Sequence, residues 1–355
     1  MNRLRFLVAW VAAISIAAPA ATPYPVVRPG IILSFPADHG AHPRFRTEWW
    51  YVTGWLRTAS GEDLGFQVTF FRTRPPGDEG NPSRFAAQQV LFAHAALSDA
   101  AAGRQLHGER AARQGFGLAG ARTDDADIAI HDWRLRRLPD GRWTTRVTAD
   151  GFALGLDFQP TQPPLPQGRG GYSRKGPDPQ QASYYYSIPH LRVRGRVRRG
   201  DDTEQVTGEA WLDREWSSNY LAPTAQGWDW TGLNFDDRSA LMAFRIRRKG
   251  GGTIWAGGSY RRPDGTVAVL GPGDVAFRTL ATWRSPATGA VYPVIQEVSI
   301  RVNGSIDRWR LQPRFAAQEL DARRSGLPVY WEGAVSTRGG RGYLELTGYD
   351  RALRM

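Results

Sequence analysis

The chain has no cysteine, and only two of its 46 basic residues are lysines, Lys175 and Lys249. Without cysteine there can be no disulfide, no lipoprotein anchor and no thiolate metal ligand. The fold must therefore rest on an apolar core, which about 335 mature residues suffice to build. Apolar runs of membrane-spanning length are also missing. The longest run, 6–18, follows Arg3 and Arg5 and ends at Ala18-Pro19-Ala20. That order of charge, apolar stretch and small-residue cleavage site predicts a signal peptide over residues 1–20. The expected mature chain starts near Ala21 and is soluble in the periplasm or secreted.

Long amphipathic helical patterns and a Gly-x-Ser-x-Gly elbow are absent too, which excludes an α/β-hydrolase built around a Ser-His-Asp triad. Clustered basic elements are scarce. The net charge of +12 falls to about +10 once the leader is gone, and the arginines are scattered rather than gathered as a nucleic-acid footprint. One stripe stands out, Arg192-x-Arg194-x-Arg196-x-Arg198-Arg199. Its alternation places most of the arginines on one face of a strand. That face is read as solvated; the sharper alternative is contact with an anionic membrane surface.

What the sequence has in quantity is glycine (40), proline (24) and aromatic residues. Short runs such as 64–71, 143–147, 152–156, 193–197, 241–244, 298–302 and 342–346 alternate with turn signals. This punctuation predicts an all-β fold of barrels or sandwiches. The clearest helical stretch, 83–90, is short. The chain also repeats itself. Glu48-Trp49-Trp50-Tyr51-x-Thr53-Gly54 runs through a polar turn into Phe66–Arg72, and Gly227-Trp228-Asp229-Trp230-Thr231-Gly232 runs through Asp236-Asp237 into Leu241–Arg247. A second echo sets Trp133-x-Leu135 and Phe152-x-Leu154-x-Leu156 beside Trp309-x-Leu311 and Phe315–Leu320. One strand set cannot bury both copies, so the pattern predicts two β-domains of similar build, 30–200 and 201–355.

Titratable groups gather just ahead of the first aromatic strand, in Phe35-Pro36-Ala37-Asp38-His39-Gly40-Ala41-His42-Pro43 and Glu48. Asp38, Glu48, Asp213, Glu215 and Asp229 all stand beside tryptophan, tyrosine or histidine, a neighbourhood that shifts pKa values. Such acids either perform chemistry or close a barrel end by binding arginine and indole N–H groups. His39-x-x-His42 with Glu48 has the count for a zinc site, but it falls in a Pro/Gly loop; no metal and no cofactor is expected.

Several ordered motifs resemble those of one family. They are 35–54, Phe-Ala-His-Ala-Ala-Leu-Ser-Asp (92–99), Tyr-Tyr-Ser-x-Pro (185–189) and Ala-Trp-Leu-Asp-Arg-Glu-Trp-Ser-Ser (210–218). Gly-Trp-Asp-Trp (227–230), Tyr-Trp-Glu-Gly-Ala-Val (330–335) and Gly-Tyr-Leu-Glu-Leu-Thr-Gly-Tyr (342–349) complete the set. The sequence is similar to the AttH family of secreted lipocalin-like proteins, relatives of carotenoid 1,2-hydratase and kievitone hydratase. The resemblance implies two calycin-type (lipocalin-like) β-barrels in tandem, with a tryptophan packed on an arginine at a barrel end. Where the hydratases carry Asp-His-Glu-Trp, this chain reads Asp213-Arg214-Glu215-Trp216. It also has no carboxylate in 241–246, where the carotenoid enzymes carry their proton donor.

Two functions follow. The preferred one is binding of an apolar ligand (a lipid, fatty acid or isoprenoid) in a barrel or inter-domain pocket. The alternative is a hydro-lyase adding water to a C=C bond through a carboxylic acid of raised pKa. The expected catalytic set is Asp38, His39, Glu48, Asp213 and Glu215. Ligand contacts are expected from His42, Trp49, Trp50, Tyr51, Arg214, Trp216, Trp228 and Trp230. The 38–48 loop and the 213–216 segment are expected to meet in one cavity, where the Arg214 cation would lower the pKa of Glu215.

Overall fold

The computed structural model describes residues 24–76, 81, 83, 85–100 and 103–353; the expected signal peptide lies outside them. The first sheet is built from β1 (Thr47–Thr58), β2 (Asp63–Thr73), β3 (Val90–Asp99), β4 (Arg104–Arg113), β5 (Ala119–Ala121), β6 (Asp127–Ile130) and β7 (Trp133–Arg137). It continues with β8 (Trp143–Ala149), β9 (Phe152–Gln159), β10 (Leu165–Pro166), β11 (Tyr172–Arg174), β12 (Ala182–Arg199) and β13 (Asp202–Asn219). The second sheet takes β14 (Ala225–Phe235), β15 (Ala240–Arg248), β16 (Thr253–Arg261), β17 (Val267–Leu270) and β18 (Val275–Arg284). After these come β19 (Val291–Val302), β20 (Ser305–Pro313), β21 (Glu319–Asp321), β22 (Val329–Thr337) and β23 (Gly340–Thr347). Both sheets are antiparallel, and each curls until its far strands touch again, as β4 does with β6 and β15 with β18. The fold is all-β, consistent with two calycin-like barrels.

The 83–90 stretch forms no helix among its described residues, and Val90 opens β3. A segment that short cannot recover the cost of nucleating a helix. The repeat is visible in the topology. Strand order in the first sheet is β4-β3-β2-β1-β13-β12-β9-β8-β7-β6-β5, and in the second β17-β16-β15-β14-β23-β22-β20-β19-β18. Each sheet's first strand therefore sits between its second and its last, so β1 and β14 occupy equivalent places. The second echo is displaced: Trp309 and Leu311 lie on β20, whose counterpart is β9 with Phe152, Leu154 and Leu156, not β7 with Trp133. By strand pairing, a division at 200/201 would cut the β12–β13 hairpin; the first sheet runs on to Asn219 and the second starts at Ala225.

Three apolar clusters hold the molecule. One fills the first barrel around Trp50, Phe66, Trp133 and Trp143, and another fills the second around Phe277, Trp309 and Trp331. The third lies between the sheets and includes Tyr51, Trp55, Tyr185, Trp211, Trp230 and Phe244. Strands β1 and β14 are accordingly buried along most of their length, because one face looks into a barrel and the other onto the opposite sheet. The arginine stripe behaves as a solvated face: Arg192, Arg194 and Arg196 are exposed, while Val193 and Val197 are buried.

Candidate functional site

Strand alternation decides which acids can meet. On β1, Glu48 and Trp50 look into the first barrel, whereas Trp49 and Tyr51 look toward the second sheet. On the paired β13, Arg214 and Trp216 share the barrel side with Glu48, and Asp213 and Glu215 share the other. The expected meeting of the 38–48 loop with Asp213 and Glu215 therefore does not occur. Odd and even positions of two adjacent strands separate them onto opposite faces of one sheet.

The barrel-end group is a closed network. Glu48 is fully buried and ion-paired to both Arg72 and Arg214, and it accepts two hydrogen bonds from the His42 N–H, at 3.0 and 2.9 Å. Burial opposes its ionisation, but the Arg214 and Arg72 guanidiniums more than offset that and hold the carboxyl well below its ordinary range. Arg214 lies over the Trp50 ring at 4.0 Å, the tryptophan–arginine packing implied for a barrel end. His42 stacks on Trp216 at 3.9 Å and meets Asp38 through Nε2 at 3.0 Å. His39 turns the other way, to the Tyr186 hydroxyl at 2.6 Å, and burial, aided by Arg137 and Arg214, lowers it to about 3. Among the described residues no group of three His, Cys, Asp or Glu side chains is placed to hold a metal. Asp229 repeats the device in the second barrel, buried between Arg245 at 2.7 Å and Arg247 at 2.9 Å. Asp38, His39, His42, Glu48, Trp50, Arg214 and Trp216 thus gather at the end of the first barrel, and none of them lines the cavity between the sheets.

An aromatic cavity of about 170 Å³ lies between the sheets. Trp49, Tyr51, Tyr185, Trp228, Trp230 and Phe244 supply much of its aromatic lining, and Asp213 and Glu215 enter it from β13. Trp49 stacks between Tyr220 (4.8 Å) and Trp228 (6.5 Å), and Tyr51 meets Trp230 edge-on at 5.3 Å. Asp213 accepts hydrogen bonds from Tyr185 (2.6 Å), Ser187 (2.5 Å) and the Trp211 indole (2.7 Å), and Trp230 donates to Tyr185 at 3.1 Å. Burial raises Asp213 to about 7 against those donors, with the nearby Glu215 charge adding to the rise. Glu215 pairs with Lys175 at 2.9 Å and accepts from Ser183. Lys175 in turn sits over the Phe244 ring at 4.4 Å and the Tyr185 ring at 4.7 Å.

Sequence reasoning missed Lys175, Glu332 and Glu345, which also line the cavity. Glu332 and Glu345 face each other across β22 and β23. Desolvation, reinforced by Glu345, pushes Glu332 well above the usual carboxyl range, and desolvation pushes Glu345 up to about 8. A signal was present. Tyr330-x-Glu332 and Tyr343-x-Glu345 put each acid in phase with a tyrosine on an apolar strand. Lys175 sits in a Gly/Pro/Arg-rich loop and carried none.

The AttH-like family profile matches residues 26–349. The chain belongs to the AttH-like family. A structure of a protein assigned as AttH from Nitrosomonas europaea is 51% identical, with a TM-score of 0.85, over 92% of this chain and 99% of that one. Kievitone hydratase from Nectria haematococca shares the fold at 12% identity and a TM-score of 0.67, over 93% and 97% of the two chains. CghA in complex with Sch210972 is similar at 15% identity and a TM-score of 0.54, over 86% and 89%. No curated protein matches the chain. At these identities kievitone hydratase and CghA bear on the fold of this AttH-like chain alone.

Proposed function

We propose that the inter-sheet cavity binds a small unsaturated apolar molecule, such as a short isoprenoid, and that Asp213 acts on it as a general acid to add water across a C=C bond. The observation that carries this reading is Asp213 itself, a buried carboxyl raised to about 7 inside an aromatic cavity. A pKa near the working pH suits a group that must give and retake a proton. In the forward direction the Asp213 proton forms a C–H bond with the alkene π pair. The carboxylate left behind is stabilised by Tyr185, Ser187 and Trp211. The tryptophan and tyrosine faces stabilise the carbocation. A water lone pair then forms the C–O bond, and its proton returns to Asp213.

The reason to expect no proton donor on this segment is Arg214, whose cation favours the ionised form of a neighbouring carboxyl. It lies on the far side of the sheet, bound to Glu48, so that reason lapses. A second reading, binding without turnover, is favoured by one feature: both Asp213 oxygens and Glu215 already hold protein partners. Incubation with ten-carbon acyclic isoprenoids in ¹⁸O-labelled water separates the two. The expected result is a labelled alcohol from the wild type and a loss of about a hundredfold or more in Asp213→Asn, with ligand affinity changed less than threefold. Retained hydration in Asp213→Asn overturns the acid assignment; binding without any labelled product establishes the carrier reading.

A further inference from the structure

Hydration through Asp213 leaves two carboxyl groups of the cavity without a task. Glu332 is 1% exposed; the Tyr51 and Tyr330 hydroxyls are its hydrogen-bonding neighbours, at a geometry too loose to satisfy either oxygen, and no ion pair reaches it among the described residues. Its cross-strand neighbour Glu345 stands directly opposite Trp230 on the other side and close to the Trp228 side chain. Leaving a buried acid unsatisfied is expensive, and a fold that only needed to fill this space would have used leucine. Other buried acids of the molecule are matched by cations or by neutral donors: Glu48 has two arginines, Asp229 has two, Glu215 has Lys175, and Asp213 has Tyr185, Ser187 and Trp211. The Glu332–Glu345 pair has none of these cations.

We propose that the Glu332–Glu345 pair is a receptor for an organic cation, so that the cavity takes a ligand whose apolar body carries one protonated amine. The ammonium group would donate to the pair, which then holds one carboxylate and one carboxylic acid, while the faces of Trp228, Trp230 and Tyr51 surround it, the arrangement in which a cation gains from both charge and ring quadrupoles. Two carboxyls in an aromatic setting, with no group of three His, Cys, Asp or Glu side chains placed to hold a metal among the described residues, match an ammonium better than a metal ion. An apolar body of about ten carbons suits a cavity of this size, about 170 Å³. The proposal rests on the cavity being the ligand site but does not require turnover.

Proton balance gives the proposal its signature. The groups facing the pair are Tyr51 on β1, Asp213 and Glu215 on β13, and Tyr330 and Tyr343 on its own strands; Lys175, which also lines the cavity, is held by Glu215. With no nearby cation the empty pair keeps its protons, as the upward shifts of both acids indicate. An entering ammonium displaces one proton to solvent, so its affinity must rise with pH until the free pair loses that proton by itself.

Isothermal titration calorimetry with geranylamine and geraniol, which share one ten-carbon tail, tests this on the wild-type protein between pH 6 and 8. Geranylamine is expected to bind at least tenfold more tightly at pH 8. Its affinity should climb by up to about tenfold per pH unit, with a buffer-dependent heat of proton release, while that of geraniol stays flat. The double variant Glu332→Gln, Glu345→Gln, checked for its β-type circular dichroism, should lose the preference and keep geraniol binding. Equal affinity for the two probes, a preference that ignores pH, or a preference that survives in the double variant would overturn the proposal. Binding of geraniol alone sinks the cation receptor and leaves the cavity reading standing; binding of neither probe to the wild type sinks both.

Discussion

Glu48 and Asp213 sit on neighbouring strands, and their surroundings push them in opposite directions. Glu48 lies between two arginines and is held ionised; Asp213 lies among neutral donors and is raised to about 7. Because the folded pKa of Glu48 is depressed, its contribution to stability is complete above the unfolded value of about 4.3 and is lost as pH falls below it. Glu48→Gln should cost about 3–5 kcal/mol at neutral pH, since two buried guanidiniums lose their counter-charge. The variant should also show a shallower loss of stability between pH 5 and 2 than the wild type. Urea denaturation across that range measures both, and a neutral-pH cost under about 1 kcal/mol would remove Glu48 from its closing role. The sequence shows that both acids have aromatic neighbours, which is why both were candidates. It does not show which has arginine partners, because Arg72 and Arg214 are brought in by strand register.

At the scale of the element, what matters is the face of a strand. The aromatic strand 47–58, the hairpin after it and the repeat at 225–248 are legible from residue type and turn signals alone. Which side of β1 forms a ligand wall is not, because both sides are apolar and both are buried. The residues expected in one site therefore divide between two compartments: Asp38, His39, His42, Glu48, Trp50, Arg214 and Trp216 lie at the barrel end, and Trp49, Tyr51, Asp213, Glu215, Trp228 and Trp230 line the cavity between the sheets. The contact between the two sheets is tight at Gly65 on β2. A β-carbon there would lie 2.6 Å from the Ala334 β-carbon and 2.7 Å from the Tyr343 hydroxyl. Gly65→Val should cost about 1–3 kcal/mol through forced repacking between the sheets. An unchanged denaturation midpoint would show that the sheets can part there freely.

The whole molecule is one strand order used twice, with an aromatic, acid-lined cavity where the two copies face each other. Duplication could be read from the sequence because each copy repeats an aromatic strand and an apolar partner. An inter-domain pocket taking Asp213 and Glu215 is among the expectations from the sequence; the place of Glu332 and Glu345 in it is not, because β22 and β23 are distant from β13 along the chain and come to the cavity only after folding. A ligand between the sheets, and not at the His39–Glu48 barrel end, is the claim on which the functional reading stands. A crystal structure of the protein soaked with geraniol tests it directly. The account predicts electron density for the ligand against Trp49, Trp230 and Tyr185, within reach of Asp213. Density beside His39 and Tyr186 inside the first barrel, with the inter-sheet cavity unoccupied, would contradict it.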